Sequence, residues 1–170
     1  MTAADFTAPL AAIPLPPVER WNPGDCGDSA MRIAADGSWF HQGERIARPE
    51  LVRLFAGLLR KDDAGYVLVT PVEKLSIVVE DAPFLAVVVD KAGDGEDQRL
   101  TFTTNVGDRV VLGPEHALRL QDGIPYLHVR RGLEAKVARN VYYQLADIAV
   151  ARGAVLGVWS AGAFFELGAA

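Results

Sequence analysis

Hydrophobic positions along this chain follow two periods. Leu51, Leu54, Phe55, Leu58 and Leu59 fall at i, i+3, i+4, i+7 and i+8, one apolar stripe of a helix, with Glu50, Arg53 and Arg60 on the other side. Pro49 suits the first turn of that helix, where its missing N–H costs nothing. All five stripe residues are expected to be buried against a sheet. A second helix is predicted over 133–152, with Val137, Val141, Leu145 and Ile148 on its apolar arc. Lys136, Asn140, Gln144 and Asp147 share its polar arc, together with Tyr143. Period two governs much of the rest. Met31–Ala35 and Ser38–Gln42 read as a hairpin about Asp36-Gly37. Strands follow at 66–70, 75–80 and 84–91, rich in β-branched residues. Phe84 to Val89 is continuously apolar, as in a strand covered on both faces. Residues 92–98 form a polar loop, 99–104 alternate as a half-buried strand, and 155–160 supply a last strand.

These elements suggest a repeat. Asp36-Gly37 is followed by Trp39 and His41 and then a helix, and Asp122-Gly123 by Tyr126 and His128 and then a helix. One inserted residue aligns Trp39 with Tyr126 and His41 with His128. The expected class is therefore α+β, two small sheet-plus-helix units with a repeated hairpin–helix motif. The domains expected are a Pro-rich N-terminal tail at 1–24, with Pro9, Pro14, Pro16, Pro17 and Pro23, then α+β domains at 25–80 and 81–170.

Composition narrows the functions open to such a chain. Its 170 residues carry 22 acidic and 17 basic side chains, a net charge of −5, and neither half has a basic excess. A partner with a phosphate backbone is thus not expected. Cys26, the single cysteine, excludes an internal disulfide and a cysteine-built metal cluster. The first residues lack a basic region followed by an apolar stretch, and 154–165 is too short and too interrupted to span a bilayer. A soluble cytoplasmic protein without metal or cofactor is expected.

Five ordered blocks resemble a known bacterial family. They are Trp39-x3-Gly43-x2-Ile46-x-Arg48-x2-Leu51-Val52-x-Leu54-Phe55, Leu68-Val69-Thr70-Pro71-Val72-Glu73-Lys74, Glu80-Asp81-Ala82-Pro83-Phe84, Val129-Arg130-x-Gly132-Leu133 and Gly157-Val158-Trp159-Ser160-x-Gly162-x-Phe164-Phe165. Together they cover about residues 25–168 and resemble the family catalogued as domain of unknown function number 1285. The resemblance implies a two-domain α+β fold with repeated motifs and no established activity. It also implies a nucleotide-like ligand in an interdomain cleft, with a signalling role.

Candidate chemistry centres on Thr70-Pro71-Val72-Glu73-Lys74, which follows a strand and can turn a hydroxyl and an ammonium toward a cleft. Arg48 and Arg130 precede the two helices in similar places. Two guanidinium forks and a Lys suit a phosphate or carboxylate, with Glu73 as the compensating carboxylate and Trp39 or Tyr143 stacking on a ring. Against this stands a bland reading in which Thr-Pro only shapes a turn. His41 and His128 are acid–base candidates by residue type, or strand-end residues bonded locally. Cys26 and Arg32 have a Cys-x5-Arg spacing, but a strand follows the cysteine where phosphatase chemistry needs a helix. No catalytic residue is assigned. Three readings stay open: a regulatory module binding an anionic, nucleotide-like ligand, a small enzyme with a His general base, and a structural or protein-interaction module.

Overall fold

A computed structural model describes residues 15–170 of the chain. Pro9 and Pro14 of the expected tail lie outside the described residues. The chain forms two compact units, the first built mainly on residues up to 79 and the second on 80–170, with short exchanges at 35–37 and 106–108.

The first unit contains β1 (Asp25–Ile33), β2 (Trp39–His41), β3 (Glu44–Arg45), α1 (Pro49–Gly57), β4 (Leu59–Asp62), β5 (Gly65–Val69) and β6 (Glu73–Val79). They make one sheet in the order β3-β2-β1-β6-β5-β4, antiparallel except where β1 and β6 run parallel at its centre. Side chains alternate between faces along each strand. Ile33, Trp39, Leu59, Leu68 and Ile77 are buried and share one face by register. Near the β4 edge, a single 3-10 turn, Val18–Arg20, buries Val18. The Arg60 Nη1 donates to the Val18 and Trp21 carbonyls at 2.8 and 2.7 Å and so ties this segment down.

Helix α1 departs from expectation. Pro49 occupies its first turn as the sequence implies, yet only Ala56 and Gly57 are fully buried. Leu51, Phe55 and Leu58 are half-buried, and Leu54 is 60% exposed. Leu59 is buried, but it belongs to β4. The reason lies in the helix's last turn. Small residues bring its C-terminal end close to its neighbours, where Pro16 sits 3.4 Å from the place a Cβ on Gly57 would occupy. Leu54→Ala should therefore cost less than about 1 kcal/mol in a denaturant titration, well short of the ~2–5 kcal/mol of a core leucine. A core-sized loss would show that this leucine is covered.

The second unit contains β7 (Phe84–Ala92), β8 (Arg99–Thr104), β9 (Arg109–Val111), β10 (Leu118–Gln121), β11 (Ile124–Arg130), β12 (Leu133–Val137), α2 (Arg139–Ile148), β13 (Val150–Arg152), β14 (Val155–Ser160) and β15 (Ala163–Ala169). One sheet runs β10-β11-β12-β7-β8-β9, with β12 and β7 parallel, and a second runs β13-β14-β15. α2 packs on β7 and β14 through Val141 and Leu145. Phe84, Phe102, Leu127, Leu133 and Val158 form the core.

Three sequence expectations change here. Residues 133–137, expected as helix, form β12 with alternating burial, and 150–152 form β13. The strand at 155–160 is followed by a further one, β15. The class is mostly β with two helices among the described residues, consistent with α+β, but the repeated hairpin–helix motif is not confirmed. The two Asp-Gly turns differ in kind. Asp122 and Gly123 both have positive φ, 53° and 77°, and Gln121 pairs directly with Ile124, a two-residue turn. Asp36-Gly37 lies in a longer loop, since the last pair of that hairpin is Ile33 with Trp39. The strand before α1, β3, is a sheet edge, whereas the one before α2, β12, is central. What does recur is the sheet plan: two meanders whose first and last strands join in parallel. Among the described residues no helix is long and apolar enough to cross a membrane.

Candidate ligand-binding pocket

The raised flank of α1 leaves a pocket of about 380 Å³ between the helix and the sheet, lined wholly by residues of the first unit. Leu51, Phe55 and Leu58 roof it, Met31, Leu68 and Leu75 form the floor, and Ile46 closes one side. Ser29, His41, Thr70 and Glu73 complete the lining. This volume lies in the range of small-molecule sites, which are mostly apolar with a few placed polar groups. Among the described residues, no Lys or Arg lines it.

Two of the expected site residues, Thr70 and Glu73, meet here. They flank a closed turn. The Thr70 Oγ1 accepts the Val72 and Glu73 N–H groups at 3.3 and 3.1 Å, and the Thr70 N–H donates to the Glu73 carbonyl at 2.9 Å. The others lie elsewhere. Lys74 pairs with Val69 and therefore projects from the face opposite Leu68 and Leu75, where its Nζ lies 3.4 Å from Asp62 Oδ2. Glu73 is thus not the carboxylate that meets Lys74. Asp62 also receives the Arg60 Nε at 2.7 Å, and this hydrogen bond, outweighing burial, lowers its pKa. Arg48 is the exposed N-cap of α1. Trp39 is 1% exposed, so no ring face is open to a ligand, and its Nε1 has no hydrogen-bond partner among the described residues. Arg130 and Tyr143 belong to the second unit. The guanidinium of Arg130 lies 4.9 Å from the Phe84 ring centre, and Tyr143 is 59% exposed on α2.

The histidines separate by environment. His41 lines the pocket. His128 is occupied on both nitrogens: its Nδ1 lies 3.0 Å from the Glu115 carbonyl, and its Nε2 accepts the Gly132 N–H at 3.1 Å. That pattern needs a neutral ring with its proton on Nδ1. The bland reading thus describes His128, which braces the β11–β12 turn and stacks on His116 at 6.0 Å. Of the pocket floor, only Leu68 falls in one of the sequence blocks. Met31, Leu68 and Leu75 are apolar strand residues like those of any core, and only their neighbourhood with the half-buried α1 stripe marks them out. Among the described residues, no cluster of three or more His, Cys, Asp or Glu side chains could hold a metal ion.

The second unit carries a polar network on β10–β12. The Tyr126 hydroxyl donates to Asp81 Oδ1 at 2.7 Å, and Lys136 Nζ to Asp81 Oδ2 at 2.9 Å. Burial pushes Asp81 up, but the bonds from Lys136 and Tyr126 win and its carboxyl titrates below the usual range. Burial and the Asp81 bond push Tyr126 up from 10.0 to about 12. A phenol raised on folding stabilises fully below its unfolded value, so this contribution should fade as pH climbs from 10.0 toward about 12. Asp81, depressed on folding, contributes above the ordinary carboxylate range and loses that contribution as pH falls through its folded value. Tyrosinate absorbance should show one of the four tyrosines ionising late, and Tyr126→Phe should remove that component. Four phenols ionising together near 10.0 would contradict the burial argument.

Known proteins add a family likeness. Residues 16–82 match the profile described as domain of unknown function (DUF1285), N-terminal domain, and residues 83–167 match that described as protein of unknown function (DUF1285), C-terminal domain. The chain is similar to a DUF1285 family protein from Silicibacter pomeroyi DSS-3, at 47% identity over 96% of this chain and 94% of that one, with a TM-score of 0.87. It is also similar to a DUF1285 family protein from Shewanella baltica OS155, at 32% identity over 70% of this chain and 91% of that one, with a TM-score of 0.57. No curated protein matches it.

Proposed function

Because the chain belongs to the DUF1285 family, whose descriptions assign no activity, we propose a function from the pocket itself: this is a regulatory module that binds an amphipathic small molecule under α1. The observation that carries the reading is a pocket of about 380 Å³ beneath a helix whose apolar stripe is only half covered. Filling it would remove Leu51, Phe55 and Leu58 from water at about 25 cal/mol per Å² of apolar surface. The regulatory role, expected from the family resemblance, fits a site with no nucleophile–base pair identified in it.

Calorimetric titration with octan-1-ol, a neutral probe with one apolar chain, tests the pocket. One site per chain is expected, with a stabilisation of about 2.7 kcal/mol at one hundred times Kd. Leu58→Trp, which fills the pocket from its half-buried roof, should abolish the binding while the protein stays folded. Binding unaffected by Leu58→Trp would place the alcohol elsewhere and end this reading. A second reading, an enzyme using His41 as general base, draws on the presence of His41 and Glu73 in one pocket. It requires a turnover that His41→Gln removes without loss of octan-1-ol binding.

A further inference from the structure

We infer that the pocket selects amphiphiles with a cationic head, an inference that rests on the pocket being the ligand site. The argument comes from which polar groups are already committed. Ser29 Oγ donates to the Ser76 carbonyl at 2.7 Å and accepts the Met31 N–H at 3.1 Å. Thr70 Oγ1 is held within its own turn by the Val72 and Glu73 amides. Among the described residues, the polar side chains left to meet a ligand head are the His41 ring and the Glu73 carboxylate. The nearest cation in sequence, Lys74, points from the opposite face of the sheet and is engaged by Asp62. Among the described residues no Lys or Arg lines the pocket, so in a chain of net charge −5 the Glu73 carboxylate meets no lining cation of that kind. An ammonium there gains a charge-assisted hydrogen bond, while a carboxylate or phosphate head meets like charge. The apolar floor sets the other half of the ligand, a hydrocarbon chain or ring.

Three probes of equal chain length separate the contributions: octylammonium, octan-1-ol and octanoate, each titrated calorimetrically against the full chain at pH 8 and low salt. Octylammonium is expected to bind about tenfold tighter than octan-1-ol, a step of about 1.4 kcal/mol, and octanoate more weakly than both. Glu73→Gln, a change at an exposed position, should bring octylammonium level with the alcohol. Octanoate binding as tightly as octylammonium would overturn the inference, as would a preference that survives Glu73→Gln. Alcohol binding without any preference among heads would also overturn it and leave the pocket function standing. Failure of all three probes to bind would remove both.

Discussion

Replacing Gly157 by alanine is expected to cost about 3 kcal/mol, the upper end of what overpacking a filled interior does. In an ordinary strand the same change is favourable, because glycine loses more freedom on folding than alanine. Gly157 differs because its space is taken. A Cβ there would lie 2.6 Å from Cζ of Phe164, and the backbone carbonyl of Phe165 crowds the same spot. Phe164 faces Trp159 across the β14–β15 ladder, ring centres 5.3 Å apart, and the Arg152 guanidinium lies within 5.4 Å of both rings. The aromatic ring thus covers the bare backbone that glycine leaves. Denaturant titration of Gly157→Ala, Phe164→Ala and the pair should show coupling, with the double variant less damaged than the sum. Only partial relief is expected, since the Phe165 carbonyl remains. A stabilised Gly157→Ala would refute the packing account.

Arg60→Ala should cost a similar amount, about 3 kcal/mol, because one guanidinium satisfies several groups. It donates to the carbonyls of Val18 and Trp21 and, at 2.7 and 3.1 Å, to both oxygens of Asp62. Its side chain is 14% exposed, so water replaces few of these bonds. Removal leaves Asp62 with Lys74 alone at 3.4 Å and frees the segment that carries buried Val18. Limited trypsin digestion should then cut faster after Arg20, a position in the exposed 3-10 turn. Arg60→Lys keeps a charge but loses the fork, and should protect only in part. Unchanged cleavage at Arg20 in Arg60→Ala would mean that other contacts hold the segment.

Much of the fold was legible where one period acted alone. The strands at 99–104 and 155–160 match the observed bounds, because alternation there had no rival. Leu133-Glu134-Ala135-Lys136-Val137 misled because its residue types favour helix while its alternation favours a strand. The two-residue turn that would have settled it, Arg131-Gly132 with φ of 52° and 76°, has Arg where hairpin turns usually carry Asn or Asp. At the site, Lys74 illustrates a different limit. It stands next to Glu73 in sequence, and period two sends its side chain to the other face. Trp39 looked like a stacking platform by residue type alone, yet its place opposite Ile33 makes it core. The stripe was helical through Phe55, but Leu58 caps the helix and Leu59 opens β4, and no pattern states how fully a helix is covered.

The parallel pairs at the centre of both six-stranded sheets, β1 with β6 and β7 with β12, have a consequence for the order of folding. Each meander closes through short loops, whereas the pair that fuses two meanders joins the first strand of a six-stranded sheet to that sheet's last. That closure carries the largest chain-entropy cost and comes after the hairpins. On the ribosome the first three strands of each six-stranded sheet must therefore wait, with one edge unpaired, until the sixth strand emerges. For the first unit that strand ends at Val79, so the floor of the pocket, split between Met31 on β1 and Leu75 on β6, is among the last features of that unit to form.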